Sequence, residues 1–156
     1  MASLKRHSQP WYHEGLRFEC QRCGGCCSGP SGYVELSSEE AVHIAQFLGL
    51  SLAEFRERYT RTEYAPNWYL KEIPSDEHGL DCIMLERESE PPFRSGCRIH
   101  KCRPRQCSSW PFWPSNLRSA SAWSNHARQC PGFNQGPLFS QAAIERIRDA
   151  SGVEDF

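Results

Sequence analysis

Apolar residues recur at helical spacing in three stretches of this chain, each opened by a serine in a capping position. Ser37-Ser-Glu-Glu40 has the form of a capping box, in which the serine hydroxyl accepts from the amide three residues on and the glutamate reaches back. Val42, Ile44, Ala45, Phe47 and Leu48 follow at helical intervals and stop at Gly49, a predicted C-terminal cap. A second box, Ser51-Leu-Ala-Glu54, opens a short helix through about Tyr59 with Leu52, Phe55 and Tyr59 on one side, so the pair reads as a helical hairpin. Ser140 caps a last helix, about 140–151, with Ala143, Ile144 and Ile147 in its middle and Gly152 beyond its end. Between these, Trp68-Tyr-Leu-Lys-Glu-Ile73 and Leu80-Asp-Cys-Ile-Met-Leu85 are aromatic or branched runs separated by turn formers, and predict two strands with Cys82 on the second. From Gly96 the chain is dense in turns, and Pro104 predicts a short helix carrying Cys107 and Trp110 that ends at Pro111. The pattern predicts one α+β domain over residues 1–156 with short helices and a small antiparallel sheet.

Composition changes this picture by making the core thin. Leu, Ile, Val and Phe number 28 of 156 residues, near the lower bound for a self-sufficient globule, whereas there are nine Cys, five Trp and five Tyr. Such a chain draws stability from metal and aromatic packing. Nine cysteines mean disulfides outside the cell and thiols or metal inside it. The first ten residues hold no apolar run of the signal-peptide kind, and no stretch is long and apolar enough to span a bilayer, so a cytoplasmic protein without a membrane is expected. The odd cysteine count and the adjacent pair Cys26-Cys27 also fit a closed disulfide framework poorly.

The net charge of −1 hides a strong asymmetry. Residues Glu35–Glu90 carry 13 acidic and 5 basic side chains, whereas Arg94–Cys130 carries 7 basic side chains and no Asp or Glu. Four thiolates on zinc or on an oxidised cubane leave a charge of about −2, which nearby Arg and Lys offset. A nucleic-acid surface is the rival explanation; it is disfavoured by the near-neutral whole and the lack of a binding motif in the stretch.

The chemistry concentrates in Cys20-Gln-Arg-Cys23-Gly-Gly-Cys26-Cys27. A Cys-x-x-Cys turn aims two sulfurs at one ion, and here the turn occurs twice in overlapping form. Three cysteines at intervals of three also match the run by which ferredoxins wrap an iron–sulfur cluster. Adjacent side chains diverge, so Cys26 and Cys27 are expected to serve two centres or one multinuclear centre. With Cys82, Cys97, Cys107 and Cys130 the chain offers eight thiolates, enough for two four-cysteine sites.

The pattern resembles the YkgJ-like CxxCxxCC cysteine-cluster family of zinc- or iron-chelating domains. The resemblance rests on Phe18-Glu-Cys20-Gln-Arg-Cys23-Gly-Gly-Cys26-Cys27, the capped helix after it, Cys82 in a strand, Cys97-Arg-Ile-His100, Arg103-Pro-Arg-Gln-Cys107, Trp110-Pro-Phe112 and Cys130-Pro-Gly132, over about 17–133. It implies that Cys20, Cys23, Cys26, Cys27, Cys82, Cys97, Cys107 and Cys130 face metal and that Cys102 stands outside the set as a free thiol. His100 occupies a position where the family usually has Tyr, and reads as an aromatic exchange. His126 lies four residues before Cys130 and reads as a neighbour of the metal shell; His43 reads as a surface residue. Trp110, Trp113, Trp123 and Phe112 read as a minor core around the metal.

Two functional classes follow. One is a zinc or iron protein, including a 4Fe-4S form, acting in electron transfer, redox sensing or metal handling with a redox or protein partner. The other is a structural zinc module that serves as a scaffold. A third class, an enzyme with Cys107 activated by Arg103 and Arg105, lacks an evident base and has no catalytic constellation to support it.

Overall fold

The structure is a computed structural model that describes residues 8–154; residues 1–7 of the polar N-terminal segment lie outside them. The fold class is α+β, with every strand pairing antiparallel. The chain divides into two compact units: residues up to Cys20 together with Pro111 onward form one, and Gln21–Trp110 forms the other.

In chain order, β1 (Leu16–Phe18) belongs to the first unit. The second unit contains β2 (Ser28–Gly29), β3 (Glu35–Leu36), α1 (Ser38–Phe47), α2 (Leu52–Tyr59), β4 (Trp68–Tyr69), β5 (Glu72–Ser75), β6 (Gly79–Cys82), β7 (Leu85–Arg87), β8 (Ser95–Cys97) and α3 (Arg105–Ser108). The chain then returns to the first unit with α4 (Pro114–Leu117), α5 (Ala120–Ala127), β9 (Phe133–Phe139) and α6 (Gln141–Ala150).

Both predicted capping boxes form. Ser37 Oγ accepts from the Glu40 amide at 3.1 Å while Glu40 Oε2 accepts from the Ser37 amide at 2.8 Å, and Ser51 with Glu54 repeats the arrangement. Ala41, Ile44 and Ala45 of α1 and Phe55 of α2 face inward, joined by Leu36, Trp68, Leu70, Met84 and Ile99 in one core. Phe55 is stacked between Tyr59 and Trp68, at ring distances of 5.9 and 6.2 Å. Cys82, Cys97 and Cys102 pack against the rim of this core, so the thiols begin where the apolar interior ends.

The two predicted strands are broken into shorter pieces. Trp68–Ile73 divides into β4, which pairs with β3, and β5, which pairs with β6; Leu80–Leu85 divides into β6 and β7. The reason is that neighbouring residues bond to different partners: the Leu70 amide donates to Val34 O and the Ile83 amide to Lys71 O. Cys82 stands at the end of β6, as expected on a strand. The Pro104 helix is also shorter than predicted, with Pro104 at its N-cap and Trp110 beyond its end.

In the other unit β1 pairs with β9, and Phe112, Trp123, Phe133 and Phe139 pack edge and face around them. Trp123 Nε1 donates to Asn134 Oδ1 at 3.0 Å, which satisfies the indole as it is buried. Phe112 and Trp123 therefore form the expected minor core, which belongs to the β1–β9 unit, while Trp110 and Trp113 are only half-buried. The predicted last helix appears as α6, capped by Ser140 and buried through Ile144. Among the described residues no helix is long and apolar enough to cross a membrane.

Ile44 is fully buried and Val42, two residues earlier on the same helix, is exposed. Ile44→Ala is expected to cost about 3 kcal/mol, and Val42→Ala less than about 0.5 kcal/mol, as read from urea denaturation midpoints at constant slope.

Candidate metal centre

The cysteine loop is held by backbone geometry at its own residues and by the β7–β8 hairpin. Gly24 has φ of 75° and leads into a 3-10 turn over Gly25–Cys27, closed by the Cys27 amide donating to Gly24 O at 3.0 Å. A Cβ at Gly24 would stand 2.8 Å from Ser95 Oγ, so only glycine fits both the left-handed backbone and the close approach. The Ser95 amide donates to Arg22 O at 2.9 Å and ties the loop to β8. Within the loop Cys23 Sγ accepts from the Gly25 amide at 3.4 Å, the amide-to-sulfur contact that such turns supply to a thiolate.

Strand pairing then delivers the other cysteines. β2 begins just after Cys27 and pairs Ser28 with Asp81, so the register brings Cys27 alongside Cys82. β7 pairs Leu85 with Cys97. Cys107 rides on α3, a four-residue helix too short to hold itself. Glu40 Oε1 accepts from the Arg105 amide at 2.7 Å, and the Gln106 amide group donates to Tyr33 O at 2.8 Å and accepts from the Glu35 amide at 3.1 Å. The carboxylate that caps α1 thus also fixes the helix that carries Cys107. Neither Glu40 nor Gln106 in this role, nor Ser95, is legible from local sequence, because each bonds to backbone tens of residues away.

Five thiols, Cys26, Cys27, Cys82, Cys97 and Cys107, lie within electrostatic range of one another. Cys26 Sγ and Cys27 Sγ are 3.8 Å apart. The thiol of Cys27 donates toward Cys26, which lowers Cys26 to about 7 and raises Cys27. Burial pushes the Cys82 and Cys97 thiols up, and pushes Cys107 up to about 12. Cys107 is therefore not the activated thiolate that its flanking arginines suggested: the loss of solvent outweighs the guanidinium charge of Arg103.

At 3.8 Å the Cys26 and Cys27 sulfurs do not diverge as the sequence suggested. With metal–sulfur bonds of about 2.3 Å, the edge of a tetrahedron is about 3.8 Å. Among the described residues no three His, Cys, Asp or Glu side chains are grouped closely enough to hold a metal ion. The Cys26–Cys27 sulfur separation alone matches the edge of a thiolate tetrahedron.

The remaining sequence-selected residues fall elsewhere. Cys23 is exposed within the same unit. Cys20 and Cys130 belong to the β1–β9 unit, where the Glu19 amide donates to Gly132 O at 3.0 Å and brings the two cysteine-bearing segments side by side. Gly132 allows this approach, because a Cβ there would collide with Glu19 O. His126 lies in α5 and Cys130 in the turn past its end, where the Cys130 amide donates to His126 O at 3.0 Å; the His126 ring stacks against Phe133. Cys102 packs against the core with its thiol raised by burial. His100 and His43 are exposed, and His100 is shifted down by desolvation and by the charges of Arg103 and Arg22.

Comparison with known proteins places these residues in a family. The profile of the CxxCxxCC family, described as "Putative zinc- or iron-chelating domain", matches residues 19–131. An uncharacterized protein of Methanocaldococcus jannaschii, MJ0661, is 30% identical over 101 residues, which is 65% of this chain and 48% of that protein. The chain therefore spans about half the length of that curated relative. No solved structure matches.

The unequal thiols lead to an ordered reactivity in reduced, metal-free protein. Cys26, with a value of about 7, is expected to be alkylated by iodoacetamide with a midpoint near neutrality. Cys107, at about 12, is expected to remain unmodified under the same conditions until the fold is opened with denaturant. Peptide mapping across a pH series reads both; equal rates at the two cysteines would contradict the assignment.

Proposed function

The chain belongs to the CxxCxxCC family, and on that footing we propose that its function is to chelate zinc or iron through a thiolate centre built on Cys26, Cys27, Cys82, Cys97 and Cys107. The observation that carries this reading is the convergence of five thiols from four separate segments, with the Cys26–Cys27 pair spaced as a tetrahedral edge. Bound metal supplies a Lewis-acidic cation, and with iron or iron–sulfur also a redox couple. The residues of the chain hold the thiols, shield Cys107 from water and donate an amide hydrogen bond to the Cys23 sulfur. Cys20, Cys23 and Cys130 complete the proposed eight-cysteine set, leaving Cys102 as a free thiol. The protein is proposed to fold as one metal-stabilised domain in a reducing, cytoplasmic setting.

The 3.8 Å pair favours a mononuclear tetrahedral ion, held by four of the five thiols, in a stabilising or metal-handling role. A second reading, an iron–sulfur centre that exchanges electrons with a redox partner, is supported by the three cysteines at intervals of three, Cys20, Cys23 and Cys26.

Metal and acid-labile sulfide are measured on protein purified anaerobically, followed by a single Cys→Ser series. Cys26→Ser, Cys82→Ser, Cys97→Ser and Cys107→Ser are each expected to lower metal content and thermal stability together, since binding and folding are linked. Cys102→Ser is expected to leave metal content unchanged. Iron with sulfide and broad visible absorption selects the redox reading; zinc without colour selects the mononuclear one. Protein without stoichiometric metal under these conditions overturns both.

A further inference from the structure

Arg87 closes β7 and stands opposite Ser95 of β8. Its guanidinium touches three of the segments that carry cysteines. Nε and Nη2 donate to the two carboxylate oxygens of Asp81 at 3.1 and 3.0 Å, with the two side chains 30% and 18% exposed. Asp81 directly precedes Cys82, and the β2–β6 register sets it opposite Ser28, which directly follows Cys27. The third nitrogen, Nη1, stands 3.5 Å from Ser95 Oγ, on the strand that ends in Cys97. The same two atoms close on the cysteine loop: a Cβ at Gly24, between Cys23 and Cys26, would lie 2.8 Å from Ser95 Oγ and 3.3 Å from Arg87 Nη1.

Most surface ion pairs add little, but a planar guanidinium held at two points on one carboxylate is the exception, because its orientation is fixed as well as its charge. With the third nitrogen against Ser95 and Gly24, Arg87 spans from the end of β6 to the loop. The loop's internal bonds, from the Cys27 amide and from Ser28 Oγ to Gly24 O, both at 3.0 Å, shape the turn. The loop is joined to β6 through the two residues of β2, a short junction that Arg87 braces from the side. We propose that Arg87, locked on Asp81, is a positioning residue of the chelating centre: it braces the Cys23–Cys27 loop against the end of β6 and so sets Cys26 and Cys27 against Cys82. It acts through backbone placement rather than on sulfur, and the proposal rests on the chelating function above.

The test compares full-length wild type with Arg87→Met, Asp81→Asn and the double variant in two measurements. In metal-free protein, hydrogen exchange at the Cys27 amide, which is bonded to Gly24 O, reads the loop itself, and both single variants are expected to exchange about 10-fold faster. In zinc-loaded protein titrated with a competing chelator, both are expected to raise Kd by about 10-fold or more, the usual cost of losing a residue that orients the ligands. The two substitutions change charge in opposite senses, so charge alone would move Kd in opposite directions, whereas a broken brace moves it in one. The double variant is expected to lose no more than the worse single variant, since each already breaks the pair. Arg56→Met, which removes a cation stacked 3.5 Å over the Trp68 ring, is expected to lower stability and keep the wild-type Kd. Circular dichroism of the metal-free proteins checks the fold; should Arg87→Met unfold, Asp81→Asn carries the comparison. Opposite shifts in Kd, additive losses, or wild-type exchange at Cys27 overturn the proposal while leaving chelation standing. A wild type that binds neither zinc nor iron overturns the chelating function itself, and the exchange measurement, which needs no metal, still decides whether Arg87 braces the loop.

Discussion

The constraint on which the second unit depends is the burial of thiols beside other thiols. Burial makes Cys82, Cys97 and Cys107 resist ionisation while the exposed Cys26 ionises most readily, and each neighbour that ionises makes the next ionisation harder. A cluster of this kind can be reconciled in two ways: the thiols stay neutral, or a cation enters and makes several thiolates at once. The Cys26–Cys27 pair shows the first step of this balance, with one sulfur favoured as thiolate because its neighbour keeps the proton. Such an arrangement makes metal affinity a property of the whole cluster.

The surrounding structure holds the cluster through few, long-range backbone contacts. Glu40 both caps α1 and receives the Arg105 amide, so the best-packed helix of the core is bonded to the helix that carries Cys107. Gln106 inserts its amide beside β3 as a strand would, and Ser95 binds the loop before Cys23. These groups fix backbone position rather than sulfur directly. A precise centre can thus be assembled from very short elements, because each is tied to the core at a point close to its cysteine.

Sequence was informative where the controlling interaction is local. The Ser37 and Ser51 boxes and the Ser140 cap could be read because a cap and its partner lie three residues apart. The β9 strand was not, since Gly136 and Pro137 punctuate it as a turn would, and it survives by pairing only with β1. Helix α5 was missed because only Trp123 of its eight residues is buried, which leaves no periodic stripe. For the candidate centre itself, spacing and family resemblance supply the proposed cysteines. Their grouping was not legible, because the placement of Cys27 opposite Cys82 depends on a strand register, and that of Cys107 on two side chains far away in sequence.

The count of five thiols bears on how such a centre behaves. A tetrahedral ion uses four, so a mononuclear site leaves one thiol beside the ligands. With Cys26 and Cys27 spaced at 3.8 Å as one bound edge, that spare thiol falls to Cys82, Cys97 or Cys107. A site with a spare neighbouring ligand can pass an ion on by stepwise substitution, without ever exposing a bare cation. An iron–sulfur cluster also takes four cysteines and leaves the fifth thiol as a neighbour. The proposed five-cysteine set thus allows retention or transfer of an ion, and its total negative charge rises with the number of thiolates engaged.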